Sequence, residues 1–187
     1  MSYVTIAAIA ITVVAIAVAL WAVLRMRNTT RLRSKFGPEY DHLVEREGGR
    51  GRAETELAHR EKRVEKLNIR NLTPQESDRF AAAWRQQQSR FVDDPSGAVS
   101  EADTLITEVM TVRGYPTANF QTQVADISVD HARVATNYRE AHEIAERSRQ
   151  DKASTEELRR SMICYRALFE DLAGAKVSKV EPEEVKR

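Results

Sequence analysis

The most constraining feature of this sequence is an apolar run, Tyr3 to Leu24, with no charged side chain, no glycine and no proline. A bilayer core is about 30 Å thick and a helix rises about 1.5 Å per residue, so roughly 20 apolar residues span it. The run reaches that length, and the chain beyond it is polar. The sequence therefore predicts a transmembrane anchor over residues 1–24.

A cleaved signal peptide is the alternative interpretation of this run. Such a peptide has a basic start, an apolar core of about 7–15 residues and a small-residue cleavage site. Here no basic side chain precedes the run, the run is longer, and it ends at Trp21 to Arg25 without an Ala-x-Ala-like exit. We therefore expect an uncleaved anchor.

Residues 25–35 form a basic juxtamembrane segment without any acidic side chain. Basic residues beside a span stay in the cytoplasm, and they attract anionic lipid head groups. The sequence thus predicts a single-pass protein of the inner (plasma) membrane, with its N-terminus outside and its C-terminal domain cytoplasmic. An exported domain with inverted topology is the alternative. The predicted lipid head-group contacts are Arg25, Arg27, Arg31, Arg33 and Lys35. A topology signal alone is also sufficient to explain these basic residues.

Small residues recur along one face of the predicted span, at spacings of four and three. Small side chains let membrane helices approach closely and pack. We therefore predict a homo-oligomer formed through the transmembrane helix. The predicted packing face consists of Ala8, Thr12, Ala15, Ala19 and Ala22.

The charge balance and composition exclude some classes of protein. Only part of the 29 basic side chains remains after residue 35, so the 28 acidic side chains outnumber the basic ones there. Nucleic-acid binders gain affinity by neutralising phosphates, so we expect no nucleic-acid partner. Seven glycines and five prolines are few for this length and favour long helices. The lone Cys164 allows no intrachain disulfide and is typical of a small apolar core residue.

Residues 36–72 are predicted to form a charged helical arm. Pro38 suits the first turn of a helix, and the glycine-rich residues 48–51 should interrupt the helical pattern. Residues 52–68 then carry a narrow apolar stripe, which suits a helical hairpin or a coiled coil. That stripe is formed by Ala53, Leu57, Val64 and Leu67, and Arg60 occupies the one position of the stripe that lacks an apolar residue.

Residues 73–174 are predicted to form an antiparallel bundle of about four helices. Thr73 with Glu76, and Ser154 with Glu157, have the spacing of capping boxes. A short helix should run from Thr117 to about residue 125, and Ser128 should cap a longer helix. Residues 175–187 are rich in Lys, Glu and Val and are predicted to be a disordered tail. The fold class is thus all-α.

No set of side chains indicates catalysis. His142-Glu143 begins like a zinc-protease motif, but Glu146 stands where the second histidine is needed. His131 and His142 could be drawn as a metal site with Asp130 or Glu146, although exposed helix histidines explain the pattern equally well. No phosphate-binding glycine loop and no nucleophile motif occurs. We therefore predict a protein that is not an enzyme, with no cofactor and no metal.

Four short segments contain aromatic residues, and two of them, 91–95 and 113–116, place these aromatics beside turns; the other two are 36–40 and 165–170. These segments resemble those of a family of small bacterial single-pass membrane-anchored helical proteins with no assigned function. The similarity covers nearly the whole chain except the tail, and it implies a bacterial inner-membrane protein without adding a site.

The leading functional hypothesis is a membrane-tethered, cytoplasm-facing helical interaction or scaffold module with an unidentified protein partner. A tether raises the local concentration of the module for partners at the membrane. The alternative is a lipid- or small-ligand-binding bundle with a pocket between the helices of Trp84, Tyr138 and Tyr165. A cavity above about 300 Å³ would favour that alternative.

Overall fold

The computed structural model of this chain describes residues 3–174, apart from the side chains of residues 4–10. The described residues form α-helices and no β-strand, so the prediction of an all-α fold is confirmed. The predicted tail lies outside the described residues. The helices are α1 (Tyr3–Phe36), α2 (Pro38–Glu47), α3 (Arg50–Val64), α4 (Pro74–Arg90), α5 (Pro95–Arg113), α6 (Phe120–Asp130), α7 (Ala132–Ser148) and α8 (Thr155–Ala173).

The chain divides into two compact units, Met1–Leu57 and Ala58–Arg187. The boundary falls within α3, inside the segment 36–72 that we assign from the sequence to a charged arm. In the first unit, α1 continues without a break from the apolar run through the basic segment. Gly37 then turns the chain with a φ of 49°, and Pro38 occupies the first turn of α2 as predicted.

The break between α2 and α3 is shorter than the sequence suggests. Gly48 alone adopts the left-handed conformation, with a φ of 67°, and it ends α2. Arg50 and Gly51 are already helical, because one left-handed residue is enough to end a helix. The buried apolar side chains of this first unit are Leu32, Phe36, Tyr40, Leu43, Ala53 and Leu57.

Both predicted capping boxes are present in the second unit. The Thr73 hydroxyl accepts a hydrogen bond from the Glu76 backbone N–H at 3.3 Å, and the Glu76 carboxylate accepts one from the Thr73 N–H at 2.8 Å. Ser154 and Glu157 repeat this exchange at the start of α8. These contacts satisfy backbone donors that a helix start leaves unpaired.

The end of α5 is hydrogen-bonded to the segment that precedes α4. Gly114 closes α5 with a φ of 95°, the left-handed conformation that a glycine often adopts after the last turn of a helix. The Arg70 N–H donates to the Arg113 carbonyl at 2.9 Å, and the Arg113 side chain donates back to the Arg70 carbonyl at 3.1 Å. This reciprocal pair joins the two chain segments.

The boundary between α6 and α7 differs from the prediction. Ser128 does not begin a helix; it lies inside α6, where its hydroxyl donates to the Ala125 carbonyl at 2.7 Å. The break falls at His131, whose φ of −127° is not helical. Residues 73–174 hold five helices: the four main helices of the prediction and the short helix α6, which runs over Phe120–Asp130 and not from Thr117 to about residue 125.

The core of the second unit lies where α8 meets α5 and α7, with α4 packed on α5 and α6 on α7. The rings of Trp84 and Phe169 stack with centroids 5.1 Å apart, and Tyr138 meets Tyr165 edge to face at 6.4 Å. The apolar stripe of α8, with spacings of four and three residues, is buried in full. It consists of Leu158, Met162, Tyr165, Phe169 and Leu172.

Candidate functional site

One stretch of α1 has the length and the apolar composition needed to cross a membrane. It falls within Ile11–Phe36, the only such stretch among the residues whose side chains are described. Its large apolar side chains face outward, as shown by the exposure of 70% for Ile11 and 59% for Leu20. A continuous exposed apolar surface of this kind marks a site of contact with a membrane or a partner.

The predicted head-group contacts are all exposed along the last turns of α1, but they differ in their surroundings. Arg25 lies over the ring of Trp21, 5.2 Å from its centroid, and Lys35 lies 5.6 Å from the centroid of Phe36. Arg33 forms an ion pair of 3.2 Å with Asp41 on α2. The basic segment therefore contains both a paired cation and cations that lie beside aromatic rings.

A groove of about 500 Å³ lies between α1 and the start of α3. The guanidinium of Arg25 reaches α3, because its Nη2 lies 4.0 Å from the place a Cβ on Gly51 would take. Arg50, the first residue of α3, brings a second cation to the same groove. The lining residues are Trp21, Ala22, Arg25, Met26, Thr29, Thr30, Arg50 and Glu54.

Glu54 is the acidic residue of this groove, and hydroxyl groups hold its carboxylate. Its Oε1 accepts hydrogen bonds from Thr29 of α1 at 2.6 Å and from Tyr40 of α2 at 3.1 Å. Burial raises the pKa of Tyr40, and the hydrogen bond to Glu54 raises it further, so the phenol stays a donor. Glu54 therefore ties α3 to both preceding helices.

The structure places only some of the predicted lipid head-group contacts in the groove. Arg25 lines it, whereas Arg27 lies on another concave surface of about 390 Å³ together with Val23, Met26 and Thr30. Arg50 and Glu54 are additional site residues that sequence reasoning did not find. The glycine-rich stretch around Arg50 is typical of a break, and nothing local shows that it lies against α1.

The residues of the predicted packing face differ in their exposure. Thr12, Ala15 and Ala19 are exposed. Ala22 is half-buried and lines the groove beside Trp21. The side chain of Ala8 lies outside the described residues.

A buried polar network joins α5, α7 and α8 around Asp103. The Asp103 carboxylate accepts a hydrogen bond from Tyr165 at 2.7 Å, contacts His142 Nδ1 at 3.1 Å and pairs with Arg149 at 2.9 Å. Burial alone raises the pKa of Asp103, but the hydrogen bonds from these neighbours outweigh burial and hold its pKa below the ordinary value. The network is a satisfied ionic cluster inside the bundle.

The two histidines considered for a metal site have separate partners. His131 Nδ1 lies 2.6 Å from Asp171, while its Nε2 lies 3.2 Å from a guanidinium nitrogen of Arg113. His142 instead stacks on Phe120 with ring centroids 3.7 Å apart, and it contacts Asp103. Within residues 3–174, no group of three or more His, Cys, Asp or Glu side chains is placed to hold a metal ion.

A second cavity, of about 310 Å³, lies between α4 and α8. The predicted pocket residues Tyr138 and Tyr165 do not line it, because both are buried in the core. Two buried polar atoms at this cavity, Trp84 Nε1 and Gln88 Oε1, have no hydrogen-bond partner in the described part of the chain. The cavity is lined by Trp84, Gln88, Phe91, Arg159, Met162, Ile163 and Arg166.

Comparison of this chain with known proteins identifies no relative. The chain matches no protein-family model, no curated protein and no solved structure. The resemblance to small bacterial membrane-anchored proteins therefore stays a prediction from the four sequence segments. The candidate sites are defined by the geometry of this chain alone.

Proposed function

We propose that this chain is a single-pass membrane protein whose helix α1 anchors a cytoplasm-facing helical interaction module. The observation that carries the proposal is the continuity of α1. An exposed apolar run ends at Leu24, and exposed cations follow on the same helix without a break. Water-exposed apolar surface costs about 25 cal/mol per Å², which insertion in a bilayer removes. The cations favour retention of the following chain in the cytoplasm.

The character of the second unit supports an interaction role over catalysis. Its buried carboxylates pair with cations that lie nearer the surface, as Asp103 does with Arg149 at 2.9 Å and as the fully buried Asp126 does with Arg63 at 2.6 Å. Such pairs stabilise one arrangement of helices when both partners are present. A bundle held beside the membrane meets membrane partners at a raised effective concentration.

The orientation can be tested by labelling with a membrane-impermeant maleimide. The native Cys164 is a poor reporter, because it is buried and because burial, with the nearby Glu140 carboxylate, raises the pKa of its thiol. Val92 is 82% exposed and offers a better position. In a Cys164→Ser background, Val92→Cys should react only after the inner membrane is permeabilised.

The matched control places the thiol before the span, as Ser2→Cys in the same background. That variant should react in cells whose inner membrane is intact. Labelling of Val92→Cys under the same conditions would establish the exported orientation instead. Release of the chain from membranes by alkaline carbonate would contradict anchoring itself.

Partner binding can be tested by crosslinking in intact cells followed by mass spectrometry. The control is a chimera in which an unrelated soluble domain follows residue 36, so that the anchor and its basic segment are retained. Proteins recovered with the full chain and not with the chimera support an interaction module. Identical recoveries from both would show that the helical units select no partner.

The cavity between α4 and α8 favours a second candidate function, the binding of a small apolar anion. Trp84, Phe91 and Met162 supply an apolar wall. Arg166 contributes a cation with no hydrogen bond or ion pair within residues 3–174, and Arg159 contributes a cation already paired with Glu156 at 2.6 Å. Pockets of about 300 Å³ or more are typical of small-molecule sites.

Dodecanoate is a suitable probe for this cavity, with Trp84 fluorescence as the readout in a Trp21→Phe background. We expect a saturable change that Arg166→Ala weakens by about tenfold, since a charged contact of this kind contributes about 1.5 kcal/mol or more. Arg133→Ala, at an exposed arginine on α7, is the matched control and should bind normally. A linear response without saturation would rule out this second function.

A further inference from the structure

The two arginines of the groove between α1 and α3 have no acidic partner among the residues that the structure describes. The contact recorded for Arg25 is with the Trp21 ring, and Arg50 forms no hydrogen bond or ion pair within the described range. We propose that this groove binds the phosphate of an anionic phospholipid. The inference rests on the proposed membrane anchoring, and it adds a ligand class and a defined site to it.

The electrostatics of the groove favour an anion. Two guanidinium groups face one carboxylate, and the Oε1 of that carboxylate already accepts hydrogen bonds from Thr29 and Tyr40. Glu54 therefore holds the helices in place and leaves Arg25 and Arg50 available. A guanidinium group presents a planar fork of donors that matches the oxygens of a phosphate.

The position of the groove along α1 favours a lipid as the source of the phosphate. Trp21 lies within the uncharged run, and Arg25 is the first charged residue after it. Four residues of helix separate them by about 6 Å, which is the scale of the interface between acyl chains and head groups. Trp21, Ala22 and Met26 give the groove an apolar wall on the side of the run.

The size of the groove also fits this ligand. Its volume of about 500 Å³ accommodates a head group together with the first carbons of an acyl chain. Trp21 would then contact the lipid directly, since it lines the same groove as both cations. Its fluorescence therefore reports on the lipid that occupies the site.

The test uses the full chain, with Trp84→Phe, reconstituted in phosphatidylcholine vesicles that contain phosphatidylglycerol. Brominated acyl chains quench tryptophan on contact, so brominated phosphatidylglycerol and brominated phosphatidylcholine are compared in otherwise identical vesicles. We expect Trp21 to select phosphatidylglycerol. Arg25→Ala and Arg50→Ala should each lower that selectivity by about fivefold, the contribution of one basic residue near an anionic surface.

Two matched controls separate the groove from the general positive charge of the segment. Arg46→Ala removes an exposed cation on α2, and Arg52→Ala removes one two residues along α3 from Arg50; neither side chain lines the groove. Both controls should keep the selectivity of the unsubstituted chain. Equal losses in all four variants would show diffuse charge attraction and overturn the proposed site.

Two further measurements distinguish the possible failures. Carbonate resistance of each variant reports on anchoring, so its loss would count against the proposed function and not against the groove alone. Addition of inorganic phosphate should leave the quenching pattern unchanged. Displacement of phosphatidylglycerol by phosphate at millimolar concentration would show that the groove takes a free anion instead of a lipid.

Discussion

The hydroxyl of Tyr165 donates a 2.7 Å hydrogen bond to Oδ1 of Asp103, which lies 62 residues earlier in the chain. Burial is the largest cause that raises the pKa of Tyr165, and the adjacent Asp103 carboxylate raises it further, so the phenol remains protonated and acts as a donor. This bond links α8 to α5 in the interior of the second unit. Its removal is the most direct test of what the buried network contributes.

We predict that Tyr165→Phe lowers the free energy of unfolding by about 1.5–3 kcal/mol, the range for a hydrogen bond to a charged group. Chemical denaturation of the full chain in detergent micelles, followed by Trp84 fluorescence in a Trp21→Phe background, measures the effect. Tyr115→Phe is the matched control, since the buried Tyr115 hydroxyl has no hydrogen-bond partner in the described residues. That control should be neutral or slightly stabilising, and equal losses in both variants would contradict the role of Asp103.

The stability of the second unit should fall in acid because of Asp103. Its pKa is lower in the folded state than the ordinary value, so its contribution is complete above that ordinary value, about 4. The contribution is lost as the pH falls toward the folded-state pKa, because the unfolded chain then binds a proton more readily.

Unfolding free energies measured between about pH 6 and pH 3 should therefore decline more steeply for the unsubstituted chain than for Asp103→Asn. The amide has no charge to lose, while the other carboxylates titrate in both proteins. Parallel pH profiles would show that Asp103 is not the group responsible.

Gly114 should not tolerate a side chain. Its φ is 95°, and a Cβ there would lie 2.6 Å from the carbonyl oxygen of Asn68. Gly114→Ala is expected to cost about 1–3 kcal/mol in unfolding free energy, the usual range for backbone strain of this kind. At Gly49 the space around a Cβ is open, so Gly49→Ala should change stability by less than about 0.5 kcal/mol. A Gly114→Ala variant as stable as Gly49→Ala would contradict this account.

Self-association through α1 is tested by enlarging its small residues. Ala15→Leu with Ala19→Leu should reduce the dimer signal in a membrane two-hybrid assay, because larger side chains keep two helices apart. Val13→Leu with Ala17→Leu adds bulk to the opposite face of the helix and serves as the control. An unchanged signal from the first pair would rule out this face.

Features set by neighbouring residues could be predicted from the sequence. The capping boxes at Thr73 and Ser154 and the left-handed turn at Gly114 follow from local geometry, and each is present. The helix break at His131 was not predicted, because no proline or glycine marks it in the sequence. Ser128, which has the chemistry of a helix cap, instead bonds to a carbonyl within its own helix.

Features that depend on distant residues could not be predicted. Arg149 is 46 residues from Asp103, and nothing near either residue indicates that they form a pair. The same limit applies to the groove, since Arg50 lies in a glycine-rich stretch and lines the groove with Arg25 only because the fold places the start of α3 beside α1. The apolar run and its basic flank were visible because both lie in one uninterrupted segment.

Ala22 belongs both to the small-residue face of α1 and to the wall of the groove. If two copies of the chain associate through that face, the partner helix approaches the space in which the proposed lipid lies. Occupancy of the groove and the monomer–dimer equilibrium would then be thermodynamically linked, so that each changes the other by the same factor. The lipid composition of the membrane would in that case set the oligomeric state of the chain.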